Sequence, residues 1–544
     1  MKKIVLGTLG MLLFSCASHD KTNNHFNRKI EVKNLKKDVK FVQKQLTNMH
    51  PDLYWYISKD ALNKKFDSLT NSLNQPLTPN DFFLKISPIV ASVHQGHMGM
   101  SMLNLTSPDS LKKKYKKSTN PLSNFEYEYL NNKLFVKRNK QICDSVIQQG
   151  TQIVAINGIK PSDLFKKYRN TFTSDGFNKT AIDKFFARRL NSYFVNELGF
   201  VDSVEMELIC SDSSFHHTVK RHFEKEKVKD KNRSKTKKDS LNQPIVKNDT
   251  VKKLTKEEQK AKKLALKQVN EKIQYKNRWF GYDSETKTFS KQIVYPVAQD
   301  STIAMLKIKN FTQGKVKVYD TIFAELNKNH VKNLIIDLRG NPGGRLNEIH
   351  ELAKYLNDSA FVFIQPATIT KRTTFFNTFK GKSIATKIIG APFLTIFSTI
   401  RGLKAHRTNE GELKLNLKSS KLTQPKPLNY KNKIYVITDG LTFSAAAIIS
   451  SHLKGRNRAV FVGDETGGTF NGTVAGVMPI VKLPKSKLKL RVGLMTIKPK
   501  QQTKVDGFGV LPDIPIKPTE LDFLNDNDVE LNYILNDIAT KKKH

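Results

Sequence analysis

Cysteine is scarce in this chain of 544 residues: Cys16, Cys143 and Cys210 are all there is. Their spacing matches no set of metal ligands, so neither a metal nor a cofactor is expected. Whether Cys143 and Cys210 pair is left open by sequence alone. Carboxylates are also few, 49 against 92 lysines and arginines, for a formal net charge of +43. An excess of that size suits nucleic acid, anionic lipid or an acidic polymer. No zinc-finger, helix-turn-helix or RNP signature accompanies it, so nucleic acid is not expected as a partner. The excess is strongest over residues 221–276, where no aromatic residue falls between Phe223 and Tyr275. Such a segment cannot bury enough apolar surface to offset the entropy of ordering, and it reads as a Lys-rich linker or insertion. Part of it, KEEQKAKKLALKQVNEKIQ, has the composition of an exposed helix.

Over the whole chain 38% of residues are hydrophobic and 26% charged, which fits globular domains plus at least one solvated segment. The length is too great for one ordinary core, so two to four structured units are expected. The N-terminus reads MKKIVLGTLGMLLFSCAS. Lys2 and Lys3 precede an apolar run from Ile4 to Phe14 that is too short for a permanent transmembrane helix, and Ser15 stands before Cys16. The pattern resembles a bacterial lipoprotein signal at 1–16, in which Cys16 is acylated and becomes the mature N-terminus; Phe14 departs from the usual pattern. A plain cleaved signal or a short anchor is the alternative. The resemblance implies a lipid-anchored protein of the cell envelope, facing the periplasm or held at the outer membrane.

Residues 17–29 are polar and read as a tether. From 30 to 105 apolar residues recur at helical spacing: Leu35, Val39, Val42, Leu46 and Met49 on one face, then Leu62, Phe66 and Leu69. His50-Pro51 ends the first helix, and Thr78-Pro79 starts another. This helical region runs out into a loop, HQGHMGM, that presents His94 and His97. Over 119–220 the pattern turns to short strands hinged at Asn131-Asn132, followed by VIQQGTQIVAINGIKPSDLFKKY. A glycine, an apolar strand, an Asn-Gly turn and an amphipathic helix in that order resemble a PDZ domain. Such a domain binds peptides by adding a strand to a sheet edge. An unrelated small β-module is the alternative. Over 277–540, continuous apolar strands (302–308, 333–338, 433–437, 459–462) alternate with helices, which predicts a parallel sheet covered on both faces.

Three segments of that last region carry the chemistry. IIDLRGNPGG, residues 335–344, leads from a buried strand into a glycine turn whose amides can face a ligand. It lacks the Gly-Lys-Ser/Thr of a phosphate loop. ITDGLTFSAAAIISSHL, residues 437–453, places Ser444 at the start of a small-residue helix. A serine there ordinarily acts as a cap. Small neighbours and a helix N-terminus also suit a developing oxyanion, with the amide of Ala445 as one donor. VGDETGGT, residues 462–469, is a second glycine turn after a buried strand.

Together, in this order, these segments resemble the tail-specific and tricorn-type serine peptidases, which combine a crotonase-like catalytic domain with a PDZ domain in many members. The resemblance implies an α/β catalytic domain with a small all-β module and an N-terminal helical unit. It also implies polypeptide substrates cleaved through an acyl-enzyme. The nucleophile lands on Ser444, and the second oxyanion amide on Gly343 or Gly344. The branch with a Ser–Lys dyad places a lysine where this chain has Thr469, so that branch does not fit. The tricorn-like branch implies His97 as base, from a segment like Asp-Gly-His-Thr, with His94 as its rival. It implies Asp506, in KVDGFGVLPDIPI, as the orienting acid. A histidine suits the role because its ordinary pKa lies near neutrality, and a carboxylate orients it. Asp337 is expected to hold the glycine turn and Asp513 to end the last strand. Other classes stay open: a noncatalytic peptide-binding lipoprotein with a degenerate peptidase domain, or an acyl hydrolase on the same triad.

Overall fold

The computed structural model describes residues 26–105, 109–210, 213–223, 256–284, 286–380 and 384–541. The signal at 1–16 with Cys16, most of the tether, and the larger part of the Lys-rich stretch lie outside the described residues.

The N-terminal region is helical as its apolar spacing predicts. Helix α1 (Val32–Met49) buries Leu35, Val39, Val42, Leu46 and Met49 and stops at His50. Helix α2 (Lys59–Ser72) is capped by Ser58, and α3 (Pro79–Ala91) by Thr78 with proline in its first turn. The loop after α3 carries His94 and His97 into a short strand, β1 (Gly99–Ser101).

The next unit is a five-stranded antiparallel sheet in the order β2 (Phe125–Leu130), β3 (Lys133–Asn139), β4 (Gln152–Ile156), β5 (Ser203–Cys210), β6 (Ser213–Lys220). Asn131 and Asn132, both at positive φ, turn β2 into β3. Helices α4 (Pro161–Tyr168) and α5 (Thr180–Leu198) fill the long connection from β4 to β5. Cys143 and Cys210 are both free thiols. The Lys-rich stretch begins later than its composition suggests. Arg221 is buried, with its guanidinium on the Val201 carbonyl. His222–Phe223 pairs with Ser118–Thr119, so three residues of apparent linker belong to this unit. At the other end, α6 (Lys256–Phe280) runs past residue 276, and Trp279 and Phe280 pack against the core.

The remainder is built on a six-stranded sheet. Its elements are β7 (Lys291–Val294), β8 (Ile303–Ile308), α7 (Val318–Lys328), β9 (Asn333–Asp337), α8 (Leu346–Leu356), β10 (Ala367–Ile369), α9 (Ile384–Leu403), β11 (Ala405–Arg407) and β12 (Leu413–Leu415). They continue with β13 (Lys433–Thr438), α10 (Ala445–Gly455), β14 (Val460–Gly463), β15 (Thr473–Ala475), β16 (Ile480–Lys482), β17 (Lys489–Arg491), β18 (Met495–Ile497), β19 (Ile514–Pro515) and α11 (Val529–Lys541). The sheet order is β7-β8-β9-β13-β14-β19, parallel except for the antiparallel edge strand β7.

Alternate residues of each strand face opposite layers, and both layers are covered. Ile303, Met305, Ile335, Tyr435, Ile437 and Val462 pack with Ile534 and Ile538 of α11, while Leu306, Leu334, Ile336 and Val436 join the main core. Two smaller sheets, β11-β12-β10-β18-β15 and β1-β17-β16, flank it. The second pairs Gly99 with Arg491, which fastens the histidine loop to the far end of the chain.

Two features of this frame bring the glycine turn and the serine together. Strands β9 and β13 are parallel neighbours, with Asp337 opposite Ile437, so the glycine turn and the serine loop leave the sheet side by side at its carboxyl end. That is where open α/β sheets hold their ligands. The glycine turn is also pinned from behind. Asp337 accepts from the Arg339 amide at 3.1 Å and from its guanidinium, which also bonds Asp528 and Glu530 at the start of α11. Beneath the helix after the turn, the ammonium of Lys291 meets Glu348 at 2.7 Å with both side chains fully buried.

Candidate active site

Ser444 sits at φ 57° and ψ −122°, a region non-glycine residues rarely occupy. Its carbonyl accepts the first bond of α10, from Ile448 at 3.0 Å, yet its side chain makes no capping bond. The hydroxyl is therefore free for something other than a cap. It lies 2.7 Å from Nε2 of His97.

The histidine is fixed from three sides. Its ring stacks on Phe443 at 4.8 Å between centroids, the residue next to the serine. Gly96 makes the seat possible, since a Cβ there would lie 2.5 Å from the Phe443 ring. Nδ1 of His97 lies 2.9 Å from Oγ1 of Thr473, and that hydroxyl donates at 3.1 Å to Oδ1 of Asp175. The Gly96 amide donates to the same oxygen at 2.7 Å. Because Thr473 has one hydrogen and gives it to Asp175, it accepts from Nδ1–H, which leaves Nε2 as the acceptor for the serine hydroxyl. The resulting line is Ser444, His97, Thr473, Asp175. Burial, with a smaller push from Arg491, holds the His97 pKa down to about 3, so the imidazole rests neutral. Burial pushes the Asp175 carboxyl up to about 7, against the opposing bonds from Gly96 and Thr473.

Asp506, expected as the orienting acid, does not reach His97. Its carboxylate accepts from the Trp55 indole at 2.6 Å, the Tyr56 hydroxyl at 3.3 Å and the Gly507 amide at 2.7 Å. The loop it heads instead supports the acid that is present. The Gly507 carbonyl accepts from the Phe177 amide at 2.7 Å, and a Cβ on Gly176 would lie 2.2 Å from that carbonyl oxygen. Two Asp-Gly turns, 175–176 and 506–507, thus pack on one another, and the one brought from the five-stranded unit faces the histidine. His94, the rival base, packs its ring on Phe177 at 5.4 Å and does not contact Ser444. Sequence reasoning missed Asp175 and Thr473. An Asp-Gly pair and a threonine after Asn471-Gly472 were the only local signs of either.

The glycine turn meets the serine loop through several bonds. The Phe443 amide donates to the Asn341 carbonyl at 3.0 Å, and the Gly340 amide to Asp439 at 2.9 Å. Asn341 is fully buried and holds the Ile308 carbonyl through Nδ2 and the Gly343 amide through Oδ1. Of the two glycines expected to supply an oxyanion donor, Gly343 is thus already committed to a side chain. Among the described residues the Gly344 and Ala445 amides have no acceptor. Gly343 does something else: a Cβ there would lie 2.6 Å from Cβ of Ser444 and 2.8 Å from the Ala445 amide nitrogen, so its absence keeps the space in front of that amide open. Thr469, at the dyad position, is buried and gives its hydroxyl to the Gly472 carbonyl. Asp513 bonds the Phe461 amide at 2.8 Å, a structural place at the sheet edge.

A serine hydroxyl on a neutral imidazole, with uncommitted amides at a helix start, is the equipment of acyl transfer. Among known proteins, residues 302–516 match the family model described as Peptidase family S41. Of the solved structures, mature CPAF complexed with lactacystin is similar at 12% identity and a TM-score of 0.59, over 94% of this chain and 98% of that one. Mature CPAF gives 13% identity and a TM-score of 0.57, over 92% and 95%. At these identities the likeness is one of fold. No curated protein matches the chain.

Proposed function

We propose, from the premise that this chain belongs to peptidase family S41 and is a serine-type peptidase of polypeptides, that Ser444 is the nucleophile and His97 its base. In this reading Asp175, acting through Thr473, is the acid. The observation that carries the reading is the 2.7 Å contact between His97 Nε2 and an uncapped serine hydroxyl. Serine oxygen attacks the scissile carbonyl carbon as Nε2 takes its proton. The tetrahedral oxyanion is met by the amides of Ala445 and Gly344 at the positive end of α10. His97 returns the proton to the leaving amine, which departs and leaves an ester on Ser444. Water, deprotonated by the same imidazole, then hydrolyses the ester and restores the serine. The imidazolium formed twice in this cycle is buried, and the nearest carboxylate linked to it is Asp175, one hydroxyl away.

The five-stranded antiparallel unit supports a PDZ-like role, in which an extended polypeptide adds to a sheet edge before cleavage. The parallel sheet with its glycine turn supports a crotonase-like catalytic domain. The N-terminal pattern supports export and acylation of Cys16, which Cys16→Ser tests by releasing the protein from the membrane fraction or blocking maturation. A native protein found wholly soluble after lysis contradicts the anchor. For the chemistry, Ser444→Ala abolishes hydrolysis of a casein-like substrate while the fold is kept, since the hydroxyl makes no cap bond to lose. Undiminished turnover of the purified variant refutes the assignment.

A further inference from the structure

Helix α9 is inside out. In a helix of a water-soluble protein the apolar stripe faces the core. Here Phe393, Ile396, Phe397, Ile400 and Leu403 recur at helical spacing and all are exposed, Phe393 78% and Leu403 74%. The opposite side, toward the protein, presents Ser398, fully buried, and Gly402, where a Cβ would lie 2.4 Å from the Arg372 carbonyl oxygen. The Arg372 guanidinium also bonds the Gly402 carbonyl at 3.0 Å. The helix is thus docked through its small and polar residues, and its bulky apolar ones are left in water. A contiguous exposed face of this kind marks an interaction surface.

The charge around it says which partner. Between Asp358 and Glu410 there is no acidic residue, while eight lysines and arginines fall in the same stretch, among them Lys371, Arg372, Arg401 and Lys404. Arg401 lies across the stripe, its guanidinium 4.3 Å from the centre of the Phe397 ring. Pairing this face with its own copy would set cation against cation with no carboxylate of the stretch to answer. An apolar stripe edged with cations fits an anionic lipid surface, with rings and aliphatic chains below the headgroups and Arg and Lys among the phosphates. No helix of the described residues is long and apolar enough to cross a membrane, so the helix lies along the surface. We propose that α9 is a membrane-docking helix that inserts its Phe393–Leu403 stripe into an anionic bilayer, independently of any acyl chain at Cys16.

Phe393→Trp in the full chain tests this, read against the unsubstituted protein to subtract Trp55 and Trp279. An indole at 393 reports its own surroundings, so attachment elsewhere does not mimic insertion. With vesicles of phosphatidylglycerol and phosphatidylcholine its emission shifts to the blue and is quenched when the acyl chains are brominated; phosphatidylcholine alone gives less of both. Adding Ile396→Asp weakens vesicle binding of the stripe about tenfold or more and leaves peptidase turnover unchanged. Should Phe393→Trp fail to fold, Leu403→Trp gives the same readout. Emission that stays that of an exposed indole on anionic vesicles overturns the proposal. So does a blue shift without vesicles that grows with protein concentration, which assigns the stripe to a second copy.

Discussion

Thr473→Val isolates the link between base and acid. Valine keeps the shape of threonine but has no hydroxyl, so two bonds vanish together: the 2.9 Å contact to His97 Nδ1 and the 3.1 Å bond to Asp175. Asp175 keeps its bond from Gly96, but Nδ1–H loses its acceptor on a ring that is 5% exposed. A buried donor left unsatisfied costs about 1–3 kcal/mol. The cost falls more heavily on the imidazolium than on the neutral ring, because a bond from a charged donor is stronger. The loss therefore raises the barrier, and at about 1.4 kcal/mol per factor of ten, kcat/KM falls about 10- to 100-fold, mostly in kcat. Thr473→Ser, which restores the hydroxyl, recovers most of the rate. Steady-state hydrolysis of a fluorogenic casein measures this, with thermal unfolding to show that both variants fold. A Thr473→Val enzyme at full kcat, beside an Asp506→Asn enzyme that has lost it, refutes the relay and returns the role of acid to Asp506.

Other consequences are as direct. The Asp175 carboxyl, pushed up to about 7 by burial, is ionised only above that value, so kcat/KM rises as pH increases through about 7. His97, held near 3, stays neutral across this range and adds no limb of its own, and Asp175→Asn flattens the profile at a low rate. The same shift gives a sign for stability: the folded state holds a proton on Asp175 that the unfolded chain has released, so stability falls between about pH 4 and 7 and levels off above. Asp175→Asn removes that slope in denaturant titrations. Gly343→Ala puts a methyl 2.6 Å from the Ser444 Cβ at a φ of 98°, and peptidase activity falls about 100-fold or more in the casein assay. Glu348→Leu leaves the Lys291 ammonium buried without its carboxylate, which costs about 3–5 kcal/mol in denaturant unfolding.

What the sequence disclosed of the site was what strand ends disclose. Asp337 and Ile437 close two apolar runs, and the glycine turn and Ser444 come within a few residues of them, so their meeting is dictated by parallel pairing alone. His97 was legible only through its resemblance to a known segment, because nothing local distinguishes it from His94. Asp175 and Thr473 were not legible at all. Their contact spans 298 residues and depends on how the five-stranded unit seats against the sheet around β15. The chain offers two Asp-Gly turns, and chain order favours the one at Asp506, whose carboxylate bonds Trp55, Tyr56 and Gly507 and not His97. The proposed oxyanion donors illustrate the same limit, since which of Gly343 and Gly344 keeps a free amide is decided by where Asn341 points. Helix α9 carries a readable apolar period, but a period does not say which side faces water, and here the usual answer is reversed.

The proposed chemistry stands or falls on the activation of Ser444 by His97. The most direct measurement is reaction of the purified protein with a fluorophosphonate, followed by peptide mapping of the adduct. The geometry predicts a single modified residue, Ser444, with labelling abolished in Ser444→Ala and slowed about 10⁴-fold in His97→Ala while His94→Ala labels normally. A label on another residue, or labelling of His97→Ala at the rate of the unsubstituted protein, contradicts the account.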